Sequence, residues 1–207
     1  MKFILFVEGH TEQKSLSSFI KRWLDPRLTV PAGITVIRFQ GCSDYLIDIK
    51  ERTHMFLSGK NSHEIIAAIG LLDLYGLEFP PKLKTVSQKY NRTKEDIERK
   101  VDHPKFKQFF SVHELESLLF SDISIFPGEI SKKMIKKSLK PETINFNNPP
   151  AKVIKKLYKK QLNKIYTKTA TGKALFQKLN PEVAYRKCPY FKFMLDEMLK
   201  LAREVNL

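Results

Sequence analysis

Cysteine is scarce: Cys42 and Cys188 are the only two in 207 residues. Two thiols cannot build a disulfide scaffold or a four-thiolate zinc site. No apolar run reaches the ~18 residues that a membrane-spanning helix requires. The apolar start, Met1 to Val7, is too short for a secretory signal; Glu8 interrupts it and no small-residue cleavage site follows. On this reading the thiols are reduced and the protein is cytoplasmic, with no membrane partner. A G-x-x-x-x-G-K-[ST] phosphate loop is missing, as are zinc-finger spacings. His113-Glu114 begins like the H-E-x-x-H helix of zinc proteases, but position 117 is serine, so the second histidine is absent. His54, His63 and His103 are scattered. Acidic residues are scarce too, but only in one part of the chain. Residues 1–130 hold 18 basic and 17 acidic side chains, whereas residues 131–207 hold 19 basic and 5 acidic. Almost the whole formal charge of +15 therefore belongs to the last third, and its natural partner is a polyanion, nucleic acid first.

Aromatic residues are plentiful: fifteen Phe, seven Tyr and one Trp suffice for a packed core. Residues 2–7 form an apolar run that stops at Glu8-Gly9, the pattern of a buried strand and a turn. Thr11 is placed to cap a helix with Glu12 in its first turn, and Phe19, Ile20, Trp23 and Leu24 continue at helical spacing to Asp25-Pro26. Residues 34–39 are β-branched and read as a second strand, and 44–57 as a helix. Residues 63–72 are apolar on both faces, as in a central parallel strand, and end at Asp73. Residues 105–112 form a fourth strand, followed by His113-Glu114-Leu115-Glu116 and a helix through Phe120. Residues 77–104 break the pattern with Pro80-Pro81 and a polar helical stretch, Lys94 to Lys100, and read as a surface insertion. This grammar predicts an α/β domain over 1–128 with an open, mainly parallel four-stranded sheet flanked by helices. Residues 129–207 read as a basic, purely helical region packed on it.

Three predicted strands end in carboxylates: Glu8, Asp73, and Glu114 with Glu116. Ligands of open parallel sheets bind outside the carboxyl ends of the strands. If the strands are parallel neighbours, these acids converge, and clustered carboxylates repel unless a cation neutralises them. Oxygen ligands suit Mg²⁺ or Mn²⁺, which would serve phosphoryl chemistry or activate a water. Taken singly, each acid could equally be a helix cap or a solvated loop residue. Gly9 could let a phosphate approach the backbone or simply make a tight turn. His10 reads as a loop histidine or a proton donor beside Glu8.

The segment Phe6-Val7-Glu8-Gly9-His10-Thr11-Glu12 resembles the first motif of TOPRIM domains, the fold of topoisomerases, primases and overcoming-lysogenization-defect (OLD) nucleases. Leu72-Asp73-Leu74-Tyr75-Gly76-Leu77, His113 to Asp122, Pro149-Pro150-Ala151-Lys152 and Arg186-Lys187-Cys188-Pro189-Tyr190-Phe191 resemble, in order, the bacterial TOPRIM-like family named domain of unknown function (DUF) 4276. The resemblance implies a TOPRIM fold and Mg²⁺-dependent chemistry on nucleic-acid phosphodiesters. It also implies a partner ATPase of the ATP-binding-cassette (ABC) type and a place in anti-phage defence. By motif position Glu8 matches the TOPRIM glutamate and Asp73 the first aspartate of Asp-x-Asp. Tyr75 stands where the second aspartate would be, so Glu114 or Glu116 would have to replace it.

Lys152, Lys155, Lys156, Lys159 and Lys160 flank the apolar stripe Val153, Ile154, Leu157, Tyr158 and Leu162 of one predicted helix. Lys168 and Arg186 would extend this patch, which suits phosphate-dominated, sequence-tolerant binding. Two functions follow as expectations. One is a Mg²⁺-dependent nuclease on DNA or RNA, with Glu8, Asp73 and Glu116 holding the metal and Glu114 among the catalytic acids. The other is a non-catalytic nucleic-acid-binding module that regulates a partner ATPase.

Overall fold

The structure, a computed structural model, describes residues 1–137, 139–143 and 147–205; of the side chains of 10, 11, 14 and 137 nothing is described. The His10 imidazole and the Thr11 hydroxyl thus lie outside the description.

Four strands form one sheet: β1 (Lys2–Val7), β2 (Gly33–Arg38), β3 (Ile65–Asp73) and β4 (Phe106–Ser111), in the order β2-β1-β3-β4. Every pairing is parallel. Parallel neighbours need crossovers, and helices supply them. Helix α1 (His10–Leu24) returns β1 to β2, α2 (Cys42–Leu57) returns β2 to β3, and α3 (Val86–Val101) returns β3 to β4. Period-two alternation divides the sheet between two cores. Phe3, Leu5, Val7, Ala67, Ile69, Leu71 and Phe109 face α1 and the C-terminal helices. Ile4, Phe6, Ala68, Leu72, Phe106 and Phe110 face α2 and α3.

Helix α3 corrects the expectation of an insertion over 77–104. Its mean polarity is high because only Tyr90, Ile97 and Val101 are buried, but those three fill the second core. A capping box starts it: Gln88 N–H donates to Thr85 Oγ1 and Thr85 N–H to Gln88 Oε1, each at 3.1 Å. Helix α1 begins one residue before Thr11, with Gly9 at the cap position. The helix expected after Glu116 is a 3₁₀ segment, Leu115–Ser121, entirely buried, with a second 3₁₀ turn at Ile123–Ile125.

Beyond it come α4 (Gly128–Lys137), α5 (Pro150–Leu162), a single π-helical turn (Lys168–Gly172), α6 (Lys173–Lys178), α7 (Pro181–Lys187) and α8 (Pro189–Glu204). Their apolar faces, including Ile130, Ile154, Phe176 and Leu195, belong to the same core as α1 and the sheet. Arg22 fastens the layer by donating from its guanidinium to the carbonyls of Phe176, Gln177 and Leu179. Among the described residues no helix is long and apolar enough to cross a membrane.

Candidate metal centre

The chain leaves β1 toward β2 on one side, and the next crossover brings β3 to the other side of β1. The carboxyl ends of β1 and β3 therefore flank the point where the winding reverses, the place where open sheets bind ligands. Glu8 follows β1, and Asp73 is the last residue of β3. Beyond the sheet β3 and β4 stay in register, because Leu74 N–H donates to Ser111 O at 2.9 Å and Tyr75 N–H to His113 O at 2.8 Å. His113 is buried and adopts φ = 68°, a left-handed conformation that turns the chain back over the strand ends. Glu114 and Glu116 follow directly.

Asp73 Oδ1 accepts from Leu115 N–H at 2.8 Å, which locks the 3₁₀ segment onto β3. Glu116 is fully buried. Its Oε2 accepts from Lys168 Nζ at 3.1 Å, and its Oε1 has no hydrogen-bond partner. Glu114 Oε2 accepts from the N–H of Ala151, in the first turn of α5, at 2.8 Å, while its Oε1 lies 3.7 Å from Lys168 Nζ. Asp73, Glu114 and Glu116 each offer an oxygen within 4.8 Å of the other two. One oxygen-liganded divalent ion spans such a separation.

A further carboxylate completes the group. Glu12 is buried in the first turn of α1, where its charge is felt by Asp73 and Glu116 and where it feels that of Glu8. A Cβ on Gly9 would collide with the Glu12 carboxylate, so glycine at that position lets the acid fold back over the strand end.

The charges are badly compensated. Burial raises the Glu8 carboxyl above its ordinary range, against Lys168 and a hydrogen bond from the Cys42 backbone. Burial, then its own acidic neighbours, raise Glu12 and hold Asp73 well above the usual carboxylate range. Glu116 is pushed up to about 7, first by burial and further by Glu114 and Glu12, with Lys168 opposing. Burial works against the charge of Lys168, but Glu116, Asp73 and Glu114 overcome it and raise its pKa. Among the described side chains, the Lys168 ammonium alone faces five carboxyl groups. A hard cation is the partner that relieves both the repulsion and the orphaned Glu116 oxygen, so the residues present fit Mg²⁺ or Mn²⁺.

The structure thus brings Asp73, Glu114 and Glu116 together; Glu8, also expected to hold the metal, is not in that group and is linked to it electrostatically through Glu12 and Lys168. Sequence reasoning missed Glu12; its i, i+4 spacing from Glu8 across a glycine was the available signal. Tyr75 is 41% exposed, and two glutamates, Glu114 and Glu116, stand beside Asp73. Lys168 lies over the carboxylates rather than on the exposed face of α5. Lys152, Lys155, Lys156, Lys159 and Lys160 are exposed on α5, and Lys159 Nζ donates to Asn163 Oδ1 at 2.9 Å. Arg186 is exposed on α7, 3.9 Å from Glu182.

The family described as domain of unknown function (DUF4276) matches residues 7–199. Among solved structures, the C-terminal region of the Burkholderia pseudomallei OLD protein is similar at 16% identity and a TM-score of 0.52, covering 99% of this chain and 98% of that one. The C-terminal region of the Xanthomonas campestris pv. campestris OLD protein is similar at 16% identity and a TM-score of 0.46, with 98% and 95% covered. No curated protein matches the chain. The Burkholderia likeness bears on the fold alone.

Proposed function

The chain belongs to the DUF4276 family, and on the geometry of its carboxylate centre we propose that it is a Mg²⁺- or Mn²⁺-dependent nuclease that hydrolyses DNA or RNA phosphodiesters. One observation carries the proposal: the acids that follow two neighbouring strand ends, β3 and β4, meet beside the winding reversal, and a buried Glu116 oxygen among them lacks a partner. Asp73, Glu114 and Glu116 would hold the ion. Bound there, it would supply Lewis-acid activation of a water and of the phosphoryl group. Glu8, at the rim and with its proton affinity raised by burial, takes the proton of the attacking water as general base. Water oxygen bonds to phosphorus, the P–O bond to the leaving sugar oxygen breaks, and that oxygen takes a proton from solvent, to which Glu8 releases the one it accepted. Lys168 donates to the non-bridging oxygens as charge accumulates on them. The α5 lysines and Arg186 hold backbone phosphates without reading sequence.

Lys168 favours a second reading. It already supplies a positive charge to Glu116 and Glu114, so the centre is partly neutralised from within. In that reading the chain is a non-catalytic nucleic-acid sensor. Both readings accommodate a separate ABC-type ATPase and a role in anti-phage defence, since the similar structures are the C-terminal regions of longer OLD proteins. The test is cleavage of labelled single- and double-stranded DNA and RNA with Mg²⁺ and Mn²⁺. Cleavage by the wild type that vanishes in Asp73→Asn and Glu116→Gln supports the nuclease. Salt-sensitive binding without cleavage, with and without a co-expressed ATPase, supports the sensor.

A further inference from the structure

A cavity of about 380 Å³ opens between the 3₁₀ turn at Ile123–Ile125, α5 and α6. Its size is that of a small-ligand site. Phe126, Tyr158 and Leu175 are buried and form its floor, while Thr171, Ala174 and Lys178 stand at the rim. These residues are distinct from the carboxylates, yet the wall between the two is thin. Thr171 belongs to the π-helical turn that begins at Lys168, whose ammonium bonds Glu116. Isolated π turns concentrate at functional sites. On the floor, the Tyr158 ring lies 5.6 Å from that of Tyr166. The Tyr166 hydroxyl is buried without a partner, and burial first, then the charge of Glu116, raises its pKa. Gly172 closes the turn against that hydroxyl, since a Cβ there would lie 2.8 Å from it. A tyrosine pair and one π turn therefore link the cavity to the metal centre.

The lining limits what can occupy it. An aromatic and aliphatic floor takes a flat apolar group, and Lys178 at the rim takes an anion attached to that group. The exposed lysines of α5, the helix that carries Tyr158, extend the same field. A base and its phosphate have this make-up, and stacking on aromatic side chains beside a basic groove is how single strands are held. A base paired in a duplex cannot enter unless it is first extruded.

We propose that this cavity is a base-binding subsite, which takes an unpaired nucleobase of a strand whose backbone lies across the carboxylate centre. The proposal rests on the nucleic-acid part of the reading above and is independent of turnover. Its consequence is a preference for single-stranded over duplex substrate.

The test uses fluorescence anisotropy of the full chain in EDTA with three labelled probes: a twelve-residue oligothymidylate, its abasic analogue and a blunt duplex. The wild type should bind the oligothymidylate about tenfold more tightly than the abasic strand, the low end for one stacked base. Ala174→Trp fills the cavity from an exposed rim position and should erase that difference, leaving duplex affinity and calorimetric Mn²⁺ binding unchanged. Lys178→Glu should shrink the difference by a second route. Equal wild-type affinity for the intact and abasic strands would overturn the proposal. So would a preference that survives Ala174→Trp, or an equal loss for all three probes. Failure of the nuclease reading is seen elsewhere, as absent cleavage with the base preference intact.

Discussion

Glu116→Gln should make the metal-free protein more stable at pH 8 and leave it nearly unchanged at pH 4.5. The wild-type carboxyl is fully buried, and its pKa is pushed up to about 7 from an ordinary 4.5. The native state then holds a proton that the unfolded chain has released throughout the window between those values. Unfolding free energy therefore falls as pH rises from 4.5 to 7 and stays low above it. At about 1.4 kcal/mol per pH unit, the ionised side chain costs about 3 kcal/mol at pH 8. Glutamine keeps the shape, removes the charge, and its carbonyl oxygen can still accept from Lys168. Urea denaturation in EDTA at the two pH values would measure the difference between variant and wild type. A variant advantage that grows by about 3 kcal/mol between them is expected; one that is the same at both, or a wild type that is the more stable at pH 8, would refute the argument. Adding Mn²⁺ should reverse the order, because only the wild type has the full ligand set and gains stability by mass action.

Gly9→Ala pushes the Glu12 carboxylate off the strand end, so calorimetry should show weaker Mn²⁺ binding with little change in melting temperature. Lys168→Ala strips the buried acids of their resident cation; it should destabilise the metal-free protein by about 1–3 kcal/mol, with recovery on adding Mn²⁺ or lowering the pH. A thermal melt that ignores both additions would contradict this. Reversing Lys155, Lys156 and Lys159 to glutamate should weaken DNA and RNA alike and reduce the salt slope of log K by about three. An unchanged slope would place the phosphate contacts elsewhere.

The strands were legible because each is a short apolar run with a sharp polar end. The acids at those ends were legible because the end of a parallel strand is where ligands bind. The helical character of 94–100 was legible, but the place of α3 in the core was not, because three buried residues in sixteen are masked by charge in any average over the segment. Glu12 sits where a helix-dipole acid belongs, and its spacing from Glu8 across Gly9 was the one local sign that it folds over the strand end. Lys168 is 52 residues from its partner Glu116 and is one of nineteen basic residues in its region. Only tertiary packing selects it. The 3₁₀ geometry of 115–121 was equally hidden, since Leu118, Leu119 and Phe120 satisfy helical spacing while every residue of the segment is buried.

The hydrogen bond from Ala151 to Glu114 acts as a rivet between α5 and the strand ends. It fixes the head of the lysine-bearing helix to the acids at the strand ends, so the distance between gripping surface and reaction centre is set there. A change at Ala151 that withdraws its N–H, such as proline, would let the grip drift from the centre it serves.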